Sequence, residues 1–120
     1  MIGASRRAWR VRVGADAELD FANILRWTAE NFGSRQALFY RDTLLQTIAD
    51  LAEGTDIVGS KARDEIMRGL RTLHVARHGR RGRHFLAYRV QEQTIEIVRI
   101  LHGAIEIGRH LPSAPESNGE

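Results

Sequence analysis

Cysteine is absent from the 120-residue sequence. This absence excludes disulfide bonds, thiolate catalysis and metal sites built from cysteine, and it is typical of proteins kept in a reducing cytoplasm. Long apolar runs are missing as well. No stretch approaches the roughly 18 residues of a membrane span, and the opening segment MIGASRRAWR lacks the apolar region of a secretory signal. The sequence therefore predicts a cytoplasmic protein without a membrane segment.

Lysine is nearly absent too, because Lys61 is the only lysine among 18 basic residues, and the formal net charge is +3. Arginine suits bidentate contacts to carboxylates and phosphates, although a bias in genome composition would explain the same preference. Acidic residues are missing from the stretch LHVARHGRRGRHFLAYRV, residues 73–90, which carries five arginines and three histidines. Natural surfaces usually mix charges of both signs, so this stretch is the first candidate for a functional surface.

The first half of the chain reads as one strand and two helices. Residues 8–14 alternate, with Trp9, Val11 and Val13 on one side, which is typical of a half-buried strand. Asp16 and Ser34 are the predicted N-caps of the helices, which Gly33 separates and Gly54 ends. Their predicted apolar stripes are Phe21, Ile24, Leu25, Thr28 and Phe32 on the first helix, and Ala37, Tyr40, Leu44, Ile48 and Leu51 on the second.

The second half reads as three strands over residues 70–75, 84–90 and 94–102, after a loop-like segment. The last strand is apolar on both faces over part of its length, so it is predicted to lie inside the sheet. Tyr88 is expected in the core with Leu86 and Val90. The order β-α-α-β-β-β predicts an α+β fold, with a helical hairpin on one face of a mainly antiparallel sheet of about four strands. Residues 1–112 form the predicted single domain, and residues 113–120 a polar tail.

Catalytic and metal-binding motifs are scarce. HExxH is missing, and His74 and His78 would not share a face on a strand and its turn, so no metal site and no cofactor are expected. GxSxG is missing as well. Gly79 and Gly82 do not sit between a strand and a helix, so they read as turn glycines that display arginine. Such a basic hairpin serves nucleic-acid binding, phosphate cleavage or an acidic protein partner, unless it is simply a solvated surface.

The segments GLRTLHVARHGRRGRHFLAYRV and IEIVRILHGAIEIGRHLP resemble the RelE/ParE superfamily of type II toxins, the toxin halves of bacterial toxin–antitoxin pairs. The segments FGSRQALFYRDTLLQTIADLAEG and RILHGAIEIGRHL are similar to the ParE branch in particular. The resemblance covers roughly residues 9–112, and the family's fold has the element order predicted above. RelE-like toxins cut messenger RNA on the ribosome without a metal, whereas ParE-like toxins poison DNA gyrase and generally lack the nuclease residues.

The resemblance favours the ParE function. In the RelE pattern an arginine precedes the xxY step of the middle strand, where this chain has Phe85, and a second arginine follows the last strand, where it has Ile105. Apolar side chains cannot stabilise a phosphorane, so no catalytic residue is predicted. The alternative is a RelE-like messenger-RNA endoribonuclease, whose candidate residues are Arg83, His84, Arg89 and His102.

The resemblance also implies partners. A small acidic ParD-like antitoxin would wrap the toxin, with apolar side chains across the helical hairpin and acids on the arginines of the sheet, in a heterotetramer or larger complex. The predicted antitoxin contacts are Trp27, Phe39, Leu45, Arg71, Arg77 and Arg89. The predicted contacts to the target, DNA gyrase, are Arg80, Arg81, Arg83, His102, Arg109 and His110. A plain nucleic-acid-binding module is a third hypothesis; only Phe85 and Tyr88 offer stacking on the sheet, so direct nucleic-acid binding is not expected to be the primary function.

Overall fold

The protein is a two-layer α+β domain in which two helices cover one face of a sheet. The computed structural model describes residues 9–54 and 57–102. Its elements are β1 (Arg10–Val13), α1 (Ala15–Phe32), α2 (Ser34–Leu51), β2 (Ser60–Ala62), β3 (Leu70–His74), β4 (His84–Gln91) and β5 (Thr94–His102). The predicted fold class is confirmed. The polar tail, residues 113–120, lies outside the described residues.

The sheet is mixed, with the strand order β1-β5-β4-β3-β2. β1 runs parallel to β5, from Arg10 opposite Thr94 to Val13 opposite Ile97, and the other neighbours are antiparallel. β5 therefore has a neighbour on each side, as its apolar composition predicts. Neither described helix is long and apolar enough to cross a membrane.

The sheet has five strands rather than the four predicted, because β2 was read as loop. β2 has only three residues, and its residues are exposed or half-buried. It pairs with β3 at the edge of the sheet, so that Lys61 lies opposite Thr72. An edge strand this short shows no period of two that would distinguish it from a loop.

The helix boundaries follow glycine rather than the predicted polar caps. Gly33 adopts a φ of 96° and separates α1 from α2, a conformation that side chains with a Cβ rarely adopt. Asp16 and Ser34 are not N-caps, since Gly14 and Gly33 hold those positions without a side-chain hydrogen bond. Asp16 instead lies in the first turn of α1, where its negative charge interacts favourably with the helix dipole.

The larger core cluster lies between the helices and the sheet. It contains Leu44, Leu51, Leu73, Leu86, Tyr88, Ile95 and Ile97, and a second, smaller cluster contains Leu70, Ala87 and Leu101. Tyr88 is buried as predicted, but the prediction for Val90 is wrong, because its side chain is exposed. β3 pairs with β4 only as far as Arg89, so Val90 has no neighbour on that side.

Candidate functional site

The turn between β3 and β4, in the middle of the basic stretch, does not project from the molecule but contacts α2. The Nε of Arg77 is 3.2 Å from Oδ2 of Asp50, and both side chains are mostly buried. Arg77 also donates a hydrogen bond to the carbonyl of Val58, and Nε2 of His78 is 3.6 Å from the same Asp50 oxygen. Asp50 therefore fixes the turn between β3 and β4 to the end of α2.

Two more contacts continue this attachment along α2. Nη1 of Arg80 donates to Oγ1 of Thr43 at 3.2 Å, and the hydroxyl of Tyr40 is 2.7 Å from Nδ1 of His84. Gly82 packs so closely that a Cβ there would lie 2.6 Å from Cγ2 of Val75 and 2.7 Å from the Tyr40 hydroxyl. Gly82 is thus needed for the contact with α2, in addition to the turn role predicted for it.

Most of the arginines predicted to contact a partner are engaged within the chain. Arg71 is half-buried and donates to Oγ of Ser60 at 2.7 Å, and Arg89 is 3.3 Å from Oε1 of Glu96. Arg81 and Arg83 are exposed. Two predicted target contacts, Arg109 and His110, lie outside the described residues. Arg71, Arg77 and Arg80 are thus partly buried contacts of the fold, whereas Arg81, Arg83 and Arg89 face solvent, Arg89 in an exposed ion pair.

The helical hairpin exposes large apolar side chains. Trp27 is 58% exposed, Phe39 67% and Leu45 47%, so all three predicted antitoxin contacts on the helices are accessible. Three more exposed apolar side chains were not predicted: Leu19, Phe32 and Leu38. Phe32 was placed in the core stripe of α1, which is wrong, because it ends the helix and its ring packs edge-on against Trp27 at 5.6 Å. Trp27 and Phe32 thus form an exposed aromatic pair, and the hairpin that carries them is a candidate interaction surface.

A histidine pair lies where β4 begins and β5 ends. His84 and His102 are directly opposite in the antiparallel register, and their ring centroids are 5.2 Å apart. They line a cavity of about 270 Å³ together with Asp20, Asn23 and Arg99. Asp20 accepts hydrogen bonds from Nε and Nη2 of Arg99 at 2.8 and 2.9 Å and from the backbone N–H of Ile100 at 2.9 Å. Nothing in the sequence pointed to Tyr40 or Asp20 as neighbours of these histidines, because they come from distant segments.

Comparison with known proteins identifies the family of this chain. Residues 11–107 match the sequence model of the family described as the ParE toxin of the type II toxin–antitoxin system parDE. The chain belongs to the ParE toxin family. As a family member it is the toxin of a type II toxin–antitoxin system, which implies an antitoxin partner, and the predicted resemblance is confirmed.

Two solved structures share the fold of this ParE-family chain. A chain of the chromosomal ParDE system from P. aeruginosa is similar with a TM-score of 0.65 and 20% identity, over 82% of this chain and 99% of that one. The YoeB dimer from Staphylococcus aureus is similar with a TM-score of 0.53 and 11% identity, over 81% of this chain and 99% of that one. No curated protein sequence matches the chain. At these identities the likeness shows the fold alone.

The RelE pattern has an arginine at two positions, and at the first of them this ParE-family chain has the apolar residue Phe85. Phe85 is half-buried, and its ring packs edge-on against His74 with centroids 4.5 Å apart. Burial lowers the pKa of His74, and its Nδ1 accepts a hydrogen bond from the backbone N–H of Ala76 at 2.9 Å, so the neutral ring is favoured there. The second position, Ile105, lies outside the described residues.

Burial also affects Tyr40, the hydrogen-bond partner of His84. Removal from water raises the pKa of Tyr40, and the backbone N–H groups of Arg83 and His84 oppose that effect. Tyr40 therefore keeps its proton at neutral pH.

Among residues 9–54 and 57–102, there is no group of three or more His, Cys, Asp or Glu side chains that could hold a metal ion.

Proposed function

We propose that this ParE-family toxin acts in the cytoplasm by poisoning DNA gyrase, without an enzymatic activity of its own, and that a small acidic ParD-like antitoxin neutralises it. The observation that carries this proposal is the match to the parDE toxin family over residues 11–107. The apolar, half-buried Phe85 supports it, because a side chain without charge or hydrogen-bond donors cannot stabilise a phosphorane.

The antitoxin contact is proposed to centre on the helical hairpin. Trp27, Phe39 and Leu45 offer exposed apolar area, and buried aromatic anchors usually supply most of the affinity of an interface. Arg71, Arg77 and Arg89 complete the proposed contact at the sheet. An antitoxin carboxylate would share Arg77 with Asp50 and Arg89 with Glu96, so we expect these arginines to contribute less than the apolar side chains. We also propose that the antitoxin and toxin assemble as a heterotetramer or a larger complex.

The target contact is proposed to use the solvent-facing arginines. Arg81 and Arg83 are exposed, whereas Arg80 already donates to Thr43. The proposed set also includes His102, Arg109 and His110. Because Arg81 and Arg83 hold no described contact that the fold needs, replacing them tests the target contact without unfolding the protein.

The deciding experiment is pulse labelling after inducing the toxin without antitoxin in a bacterial host. Incorporation of thymidine and of methionine is followed side by side. Early loss of DNA synthesis with translation intact supports gyrase poisoning, and a cleavage assay with purified gyrase follows. The double variant Arg81→Glu/Arg83→Glu is expected to lose the effect, whereas Arg35→Glu, an exposed arginine at the start of α2, keeps it.

A second candidate function is cleavage of messenger RNA, and the histidine pair favours it. His84 and His102 face each other at 5.2 Å, and a pair of histidines can supply the acid and the base of phosphodiester cleavage. Early loss of methionine incorporation, with DNA synthesis intact, would reject gyrase poisoning. Loss of RNA cleavage would then be tested in four variants: His84→Asn, Arg83→Ala, Arg89→Ala and His102→Asn.

A further inference from the structure

Three arginines lie together on the face of the sheet that the helices do not cover. The other two residues of β1 pack against the core, and successive side chains of a strand point to opposite faces, so Arg10 and Arg12 project away from the helices. In the sheet register Arg12 lies opposite Glu96, and Glu96 lies opposite Arg89 on the next strand. Arg10, Arg12 and Arg89 therefore share one face, and together they are the arginine row.

The arginine row lies in solvent and has an excess of positive charge. The side chain of Arg12 is 70% accessible and that of Arg89 51%, and Arg10 is exposed without an ion pair to any described residue. Glu96 divides its carboxylate between two of them, with Oε2 3.7 Å from Nη2 of Arg12 and Oε1 3.3 Å from Nη2 of Arg89. Asp16 lines a cavity beside Arg89 and Glu96, so three arginines face two acids there.

The sequence adds positive charge directly before β1. Residues 6–12, RRAWRVR, contain four arginines, and no acid precedes Asp16 in the chain. The arginine row is also separate from the exposed arginines that follow the turn between β3 and β4. Arg83 and Arg89 are six positions apart, which corresponds to about 20 Å of extended chain.

The arginine row lacks the apolar anchors of a protein interface. Six of the eight large apolar side chains exposed among the described residues lie on the helices. Val90 projects from the face of β4 opposite to Arg89, and Val58 precedes β2 at the other edge of the sheet. Protein interfaces centre on apolar anchors, whereas DNA interfaces are more polar and much more positively charged. We propose that the arginine row binds the phosphate backbone of duplex DNA.

Duplex DNA suits the arginine row better than a single strand does. Proteins that bind single strands stack the bases on exposed aromatic rings. Phe85 shares this face of β4, but it is half-buried, and its four-residue separation from Arg89 corresponds to about 13 Å. Arginine contacts to phosphates hold a protein on a duplex without reading its sequence. We therefore expect binding without sequence preference.

This inference deepens the proposed function and takes its biological role from it. A toxin that traps gyrase on cleaved DNA lies next to a duplex, and the arginine row gives it a second contact there beside the one to gyrase. Arg89 also belongs to the proposed antitoxin contact, so an antitoxin carboxylate competes with a DNA phosphate for the same guanidinium. Bound antitoxin should therefore weaken DNA binding.

Fluorescence anisotropy tests the arginine row with the full-length toxin and a short labelled duplex, in KCl from about 50 to about 200 mM. Three phosphate contacts predict a slope of about −2.7 when the logarithm of the association constant is plotted against that of the salt concentration. Replacing the whole row, Arg10→Ala/Arg12→Ala/Arg89→Ala, should weaken binding at least tenfold at about 50 mM KCl and remove most of this slope.

A matched control removes the same charge from exposed positions of the helices: Arg26→Ala/Arg35→Ala/Arg41→Ala. It should keep the wild-type affinity within about threefold, because distant charges are largely screened. Equal losses in the two triple variants would overturn the proposal, and so would absence of salt-dependent binding by the wild-type chain. Unlabelled duplex should displace the probe better than polyglutamate at the same concentration of charge. Equal displacement would reject DNA in favour of an acidic protein.

Glu96→Gln tests the arginine row in the opposite direction, in case the triple variant fails to fold. It keeps all three arginines and removes the carboxylate between two of them. DNA binding should become at least about threefold tighter, since one negative charge fewer faces the phosphates. Unchanged or weaker binding by Glu96→Gln would contradict the proposal.

A cleavage assay with purified gyrase separates this inference from the proposed function. If the wild-type toxin poisons gyrase but the row variant binds DNA as well as the helix control does, the arginine row is rejected and gyrase poisoning stands. If DNA binding depends on the row but no cleaved gyrase complex accumulates, gyrase poisoning is rejected and the DNA contact stands.

Discussion

Asp20 connects α1 to the end of β5 through three hydrogen bonds. Its carboxylate accepts from Nε and Nη2 of Arg99 and from the backbone N–H of Ile100, and both side chains are mostly removed from solvent. A carboxylate with three donors in this setting stabilises the fold more than an exposed ion pair does.

Replacing Asp20 tests that contribution. Asp20→Asn removes the charge and one acceptor, so the free energy of unfolding should fall by about 2–3 kcal/mol. Urea denaturation measures the change. Asp16→Asn, which alters an exposed carboxylate in the first turn of the same helix, should cost less than about 1 kcal/mol. Equal effects of the two variants would contradict this role of Asp20.

His74 makes stability depend on pH. Burial lowers its pKa in the folded state, so the unfolded chain binds the proton more strongly. The free energy of unfolding should therefore decrease as the pH falls below about 6.5, the ordinary value for histidine, and through the folded pKa. His74→Gln does not titrate and should lose less stability between about pH 7.5 and about pH 5.5. An identical loss in both proteins, measured by urea denaturation, would show that other groups cause it.

At the scale of elements, side-chain contacts attach the turn between β3 and β4 to α2. Arg77 and His78 both contact Asp50, and Arg80 contacts Thr43. The sequence indicated the basic composition of this turn correctly. It could not indicate that α2 holds the turn, because the contacts join residues 27 to 37 positions apart.

Removing the Asp50 charge should release this turn. Asp50→Asn is expected to cost about 1–2 kcal/mol, since the pair is largely buried. It should also speed tryptic cleavage after Arg80 and Arg81, which mass spectrometry of the first fragments detects. Asp42→Asn, an exposed change on the same helix, should leave both stability and cleavage as they are. If Asp50→Asn is cut no faster, the turn does not depend on this ion pair.

The helical hairpin should govern binding of the antitoxin. Trp27→Ser and Phe39→Ser each remove an exposed aromatic side chain, and loss of an interface anchor costs about 2 kcal/mol, or roughly 30-fold in affinity. Calorimetric titration with the cognate antitoxin measures the change. Val58→Ser is the matched control, because Val58 is 88% exposed but lies outside the hairpin. Unchanged affinity in both hairpin variants would place the antitoxin elsewhere.

At the scale of the whole molecule, β1 joins the beginning of the described chain to its end. Val11 faces the core and Arg10 faces solvent, although they are neighbours in sequence. Val11→Asp should therefore destabilise the protein by about 2–4 kcal/mol, because it brings a charge into an apolar layer. Arg10→Asp should change stability by less than about 1 kcal/mol. Thermal unfolding compares the two, and similar melting temperatures would show that β1 does not close the core.

The sequence predicted the order and faces of the long elements but missed features that depend on tertiary contacts. Periodicity located both helices and the bounds of β5. It left open whether Trp27 and Phe39 belong to the core, and the structure exposes both. It could not locate β2, whose three residues form a strand only because β3 lies beside them. It also placed Phe32 in the core, because a helical stripe does not show where the covering layer ends.

The parallel pairing of β1 with β5 also determines when the fold can be completed during synthesis. Arg10 lies opposite Thr94, so 84 positions separate the paired residues. At 5–20 residues per second, the ribosome needs about 4–17 s to produce that length. During this interval the α1–α2 hairpin can form from local contacts, while β1 waits for its partner strand. A nascent chain therefore cannot complete its sheet before translation of the domain is nearly finished.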